Sequence, residues 1–125
     1  MKILLDTHIF LWCTRDDKEL SKKARSIICE ATEVYVSSAT IWEAVIKVNL
    51  GKLKVNIEEL VDAITISGFT ELPMSAKHAA TVLQLHNLHC DPFDRILLAQ
   101  AMSEPLKFVT ADSLLKNYSD LVEIV

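Results

Sequence analysis

Short apolar, β-prone runs alternate along this chain with longer stretches of helical character, and that alternation constrains its architecture more than any other feature. Ile3-Leu4-Leu5, Val34-Tyr35-Val36-Ser37 and Lys107-Phe108-Val109-Thr110 are such runs. The alternation builds βα units around a parallel sheet. Strands are expected near 2–6, 34–37, 69–73, 107–110 and 121–125. The first and fourth are apolar throughout rather than alternating, which predicts cover on both faces.

Helices are expected between them. Asp16 or Asp17 suits the cap of a helix running to about Ala31, with Glu19 and Lys23 paired across one turn. Ser38 suits the cap of a helix over 39–50, which Gly51 ends. Asn56 starts one reaching about Ser67, and Ser75 opens another to about Asn87. Asp91 and Pro92, as cap and first helical residue, open one to about Ser103. A short helix follows Thr110 and ends near Tyr118.

One domain over residues 1–125 is expected, since this length suffices for a real core and there is no repeat, low-complexity segment or linker. Hydrophobic residues make up 50%, and mean hydropathy is +0.25. That surplus of apolar side chains predicts a buried partner interface, with Trp12 and Trp42 suited equally to an interface or to the core. The apolar stretches are far too short to span a membrane. Asp6 interrupts the N-terminal apolar run and no small-residue cleavage site follows, so the N-terminus is expected to be part of the fold. Cys13, Cys29 and Cys90 form no CxxC and cannot all pair, which predicts reduced thiols and a cytoplasmic setting. The net charge of −4 argues against a basic nucleic-acid coat, but leaves room for a nuclease whose acids bind metal.

Four acids carry the chemistry: Asp6, Glu43, Asp94 and Asp112. Taken singly, each has an ordinary role. Asp6, Asp94 and Asp112 fall at or near helix N-termini, where a carboxylate caps amides, and Glu43 has Lys47 four residues on as a helical ion pair. Their joint placement points elsewhere. In a parallel sheet the carboxyl ends of all strands share one edge, and that edge holds the ligand crevice. Asp6 and Asp112 follow strands directly. Glu43 lies deeper in its helix, but its longer side chain leans toward the N-terminus and reaches back. Two carboxylates about 5 Å apart at an effective dielectric of about 20 repel by about 3 kcal/mol. Four together need protonation or a divalent cation. All-oxygen ligands favour Mg²⁺ or Mn²⁺ over zinc, and such a centre suits phosphodiester hydrolysis.

Around the four, Arg95 suits either a salt bridge to Asp94 or a phosphate contact. Thr7, Ser38 and Thr110 suit hydrogen bonds to the carboxylates or to metal-bound water, and capping equally well. Lys47, Lys52 and Lys54 form a basic strip for a nucleic-acid backbone or a solvated charged face. His86, His89 and Cys90 lie close enough for zinc, but no second pair of ligands completes a site. No GxSxG, P-loop or GxGxxG is present.

Leu4-Leu5-Asp6-Thr7-His8, Ser37-Ser38-Ala39-Thr40-Ile41-Trp42-Glu43, Asp91-Pro92-Phe93-Asp94-Arg95 and Val109-Thr110-Ala111-Asp112 resemble the PIN-domain family. Within it they resemble the VapC-type toxins of toxin–antitoxin pairs, over nearly the whole chain. The resemblance implies an α/β/α sandwich with a five-stranded, mainly parallel sheet in the order 3-2-1-4-5. It implies Mg²⁺- or Mn²⁺-dependent ribonuclease action at Asp6, Glu43, Asp94 and Asp112, with Asp91 auxiliary. The partners it implies are RNA, an antitoxin and a second copy of the chain. Two other readings share this length and fold type. A PIN-like binding module without activity would keep the scaffold. A Mg²⁺-binding phosphoacceptor receiver domain would need an aspartate ending the third strand, where Leu72-Pro73 stand, and a lysine ending the fifth, where none stands.

Overall fold

The computed structural model describes residues 1–85 and 91–125. In chain order the elements are β1 (Lys2–Leu5), α1 (Thr7–Arg15), α2 (Lys22–Glu30), β2 (Glu33–Ser37), α3 (Ser38–Asn49) and α4 (Ile57–Ile66). There follow β3 (Thr70–Leu72), α5 (Ala76–Thr81), α6 (Pro92–Ser103), β4 (Lys107–Thr110) and β5 (Val122–Ile124). Short 3-10 turns occupy Val82–Gln84 and Ser113–Tyr118. The five strands form one parallel sheet in the order β3-β2-β1-β4-β5, the expected α/β architecture. The order reverses at β1, so a crevice opens between the carboxyl ends of β1 and β4.

Each face of the sheet has its own core. Ile3 and Leu5 of β1 point to one side, where Ile9, Phe10, Leu11, Ala24, Leu60 and Ile64 cover them. Leu4 points to the other, among Leu85, Leu97, Leu98, Phe108 and Leu115. A strand buried on both faces must be apolar at every position, which explains the uninterrupted Ile-Leu-Leu run.

The helices depart from expectation near the N-terminus. Residues 7–15, given no helix range in the sequence pattern although Asp6 was placed near a helix N-terminus, form α1 with Asp6 as its cap. The next helix begins at Lys22 behind the cap Ser21, not behind Asp16 or Asp17. Asp16 instead adopts a left-handed conformation (φ 48°) that ends α1, and Asp17 accepts a hydrogen bond from the Glu19 amide. Arg25 staples this turn through Asp16 Oδ1 (2.6 Å) and the carbonyls of Asp17 and Leu20. Glu19 therefore precedes the helix, and Lys23 reaches Glu123 instead (3.8 Å).

Elsewhere the caps fall as expected or one residue away. Ser37 rather than Ser38 caps α3, accepting from the Ala39 amide, and Gly51 follows at φ +71°. Asn56 caps α4 and Asp91 caps α6 with Pro92 first in the helix. Ser75 caps α5, but that helix gives way to a 3-10 turn at Val82, short of the expected Asn87. The zinc triplet His86, His89 and Cys90 lies outside the described residues. Cys13 and Cys29 are free thiols, and burial pushes the Cys13 thiol up to about 11.

Candidate metal-binding acidic site

The crevice is built on Asp6. It is the residue at which β1 becomes α1, so its backbone turns out of the sheet while its side chain stays at the sheet edge. Oδ1 accepts the Thr7 amide at 2.7 Å, and Oδ2 accepts the Thr110 hydroxyl at 2.7 Å. Thr110 ends β4, and its hydroxyl oxygen in turn accepts the Asp112 amide at 3.1 Å. One threonine thus ties the ends of the two central strands together. Burial pushes the Asp6 carboxyl above its ordinary range, the Thr110 and Thr7 hydrogen bonds and His8 pull it down, and Glu43 pushes it up.

The other acids arrive from separate elements. Glu43 is buried on α3, its charge acts on both Asp6 and Asp94, and Lys47 Nζ lies 2.9 Å from its Oε2. Asp112 caps the turn after β4, accepting the Leu114 amide at 3.0 Å. Asp91 accepts the Phe93 amide at 2.7 Å, and Asp94 lies in the first turn of α6. Asp94 registers the others most clearly. Burial first, then the charges of Asp6, Asp91, Glu43 and Asp112, push its carboxyl up to about 7. All four expected acids, with Asp91, therefore act within one field.

The expected supporting residues divide. Thr110 bonds a carboxylate as anticipated. Thr7 does so through its amide, while its hydroxyl meets that of Thr40 at 3.2 Å. Ser38 lies away from the acids in function, since its hydroxyl accepts the Met74 amide at 3.0 Å and secures the loop after β3. Arg95 lines a groove with Val82, Leu83 and Leu85. Thr40 and His8 escaped the sequence reading. Thr40 sits one turn before Glu43 on the same helix face, a spacing that marks it in retrospect.

The donor chemistry fits a hard divalent cation: oxygen ligands only, with like charges raising the Asp94 carboxyl. Among the described residues no three acids, histidines or cysteines converge closely enough to hold one ion directly. That suits an ion such as Mg²⁺, which takes one or two carboxylates and keeps waters in its shell.

Beside the acids lies an apolar groove. Trp42 is 58% exposed and meets Phe93 edge-on, with ring centroids 5.2 Å apart. Ile46, Met74 and Ile96 continue this surface. Trp12, by contrast, is half-buried against the core. No helix among the described residues is long and apolar enough to cross a membrane.

Comparison with known proteins gives the same architecture. VapBC2 from Rickettsia felis, solved bound to a DNA fragment from their promoter, contains a chain that superposes with a TM-score of 0.74 at 20% identity. The match covers 99% of this chain and 98% of that one. FitAcB from Neisseria gonorrhoeae gives 0.70 at 19% identity over 100% and 97%. A toxin–antitoxin complex from Klebsiella pneumoniae gives 0.67 at 19% identity over 97% and 95%. At these identities the likeness is one of fold. No curated protein matches the sequence significantly. The family model for the PIN domain matches residues 3–121, and the chain belongs to the PIN domain family.

Proposed function

We propose that this protein is a divalent-metal-dependent endoribonuclease, a single catalytic domain over residues 1–125 and the toxin of a toxin–antitoxin pair acting in the cytoplasm. The observation that carries the reading is the shared field of Asp6, Glu43, Asp94, Asp112 and Asp91 at the open edge of the sheet. Like charges gathered around a partly buried carboxylate such as Asp94 are costly to a fold unless a cation offsets them.

Asp6, Glu43, Asp94 and Asp112 would hold Mg²⁺ or Mn²⁺, directly or through water. When bound, the ion lowers the pKa of a coordinated water and neutralises charge developing on the phosphate. Asp6 supplies a fixed carboxylate, because its orientation is set by the Thr7 amide and the Thr110 hydroxyl. Thr110 also orders the Asp112 backbone, so the two strand-end acids keep their spacing. Glu43 completes the ligand set or orients the attacking water. Asp91, the cap of α6, and Arg95, next to Asp94 in its first turn, are the auxiliary residues of this reading.

The choice of RNA and of a toxin role rests on the family and on the fold shared with toxin–antitoxin complexes. An antitoxin and a second copy of this chain are the protein partners, and the exposed groove around Trp42 and Phe93 supports an apolar contact of that kind. An inert PIN-like module is the second reading, and the mutual repulsion of the acids speaks against it.

Calorimetric titration with Mn²⁺, followed by RNA cleavage with and without chelator, tests the proposal. Binding and chelator-sensitive cleavage are expected. A protein that binds neither Mn²⁺ nor Mg²⁺ is the inert module.

A further inference from the structure

We infer that Lys47 is a tethered counter-ion of the acidic site, one that a divalent cation must displace from Glu43. The inference rests on the metal-site reading above and assigns that site an internal competitor.

Lys47 and Glu43 are four residues apart on α3, a spacing at which surface pairs contribute little. This pair is not at the surface. The Glu43 side chain is 8% exposed and that of Lys47 31%, with Nζ 2.9 Å from Oε2. A buried carboxylate deprived of its cation is strongly unfavourable, so the ammonium stands in for a cation at the edge of the acid cluster. Lys47 also lies in the last turn of α3, where a cation is favoured by the helix carbonyls. Its side chain nevertheless leans back along the helix to Glu43, as helical side chains do.

The residue type matters. An ammonium on a flexible stem makes one compact contact, whereas a guanidinium would clamp a carboxylate with two. Lysine can therefore release Glu43 and, being partly exposed, swing to solvent or to a substrate phosphate. Lys52 and Lys54, both exposed, lie beyond the end of α3 and provide a control for charge without contact.

The full-length protein, K47M and K52M are titrated with Mn²⁺ by calorimetry at fixed ionic strength. K47M is expected to bind about five- to tenfold more tightly, the size of one removed like charge at close range, with K52M unchanged. K47Q replaces K47M should the latter not fold. Unaltered affinity in the Lys47 variant overturns the inference, and so does an equal gain in K52M, which would reduce the effect to net charge. Failure of all proteins to bind Mn²⁺ removes the metal site itself, a different outcome from binding without a Lys47 effect.

Discussion

Asp6 and Asp94 face the same crevice and are held there by opposite means. Asp6 is clamped at both oxygens, by the Thr7 amide and the Thr110 hydroxyl, each at 2.7 Å. Among the described residues no hydrogen bond fixes the Asp94 carboxylate, and the charges of Asp6, Asp91, Glu43 and Asp112 push it up. In the proposed metal site Asp6 would be a ligand prepared by the fold, and Asp94 one that like charges leave electrostatically unfavourable until a cation arrives. Such a site would divide its labour: one acid sets geometry, and the other supplies the demand for charge.

The largest expected effect breaks the prepared side. Asn at position 6 keeps the cap, because its amide oxygen accepts the Thr7 amide as a carboxylate does. It removes the charge and one ligand. The D6N variant should lose RNA cleavage by at least about 100-fold while its melting temperature stays within a few degrees of the parent, measured by circular dichroism. Cleavage at the parental rate, with contaminating nucleases excluded, would remove Asp6 from the site.

Next comes the clamp. T110V is nearly isosteric and deletes both the donor to Asp6 Oδ2 and the acceptor of the Asp112 amide. Thr110 is fully buried, so a lost hydrogen bond leaves unsatisfied groups worth about 1–3 kcal/mol of stability. Mn²⁺ affinity should fall about tenfold or more, since the hydroxyl orients a ligand without touching the ion. If stability falls and Mn²⁺ affinity does not, Thr110 is a strand fastener alone, and the contrast between the two acids loses its basis.

Much of this division was legible in the chain. Strand positions followed from apolar runs at alternating intervals, the sheet order came from the resemblance to the PIN-domain family, and β1 appears where Ile3-Leu4-Leu5 stand because two cores claim alternate side chains. The placement of Asp6 and Asp112 at the sheet edge followed from the same pattern. The helix over 7–15 was not legible. Ile9, Phe10, Trp12 and Thr14 favour strands over helices, and only packing against the sheet makes the segment helical. The turn at Asp16 was hidden for a related reason: its left-handed backbone needs no glycine, and the Arg25 contacts that fix it come from nine residues on. At the site, residue types announced the acids, but not their partners. That Thr7 offers its amide while Ser38 turns to Met74 depends on loop paths set by tertiary contacts.

The smallest effect sharpens the other side of the comparison and has the opposite sign. The Asp94 carboxyl is pushed up to about 7, well above its ordinary value near 4. Below about pH 4 both folded and unfolded chains hold this proton, and Asp94 does not discriminate between them. Between about pH 4 and 7 the folded chain retains a proton that the unfolded chain has lost, so folding is favoured at the acid end and weakened as pH rises. Above about 7 the folded protein carries the full burden of a half-buried charge among like charges. Metal-free protein should therefore lose stability through this window on Asp94's account, by on the order of 1 kcal/mol after screening by solvent. D94N should flatten that slope and raise metal-free stability at pH 8, while weakening Mn²⁺ binding. Saturating Mn²⁺ should reverse the order of the two proteins, because the charge that destabilises the empty site is the one that binds the ion. Urea titrations at pH 5 and pH 8, with Mn²⁺ and with chelator, measure all four combinations. A D94N protein less stable than the parent at pH 8 in chelator would show that the Asp94 charge serves the N-terminus of α6, and that the acids do not strain the empty crevice.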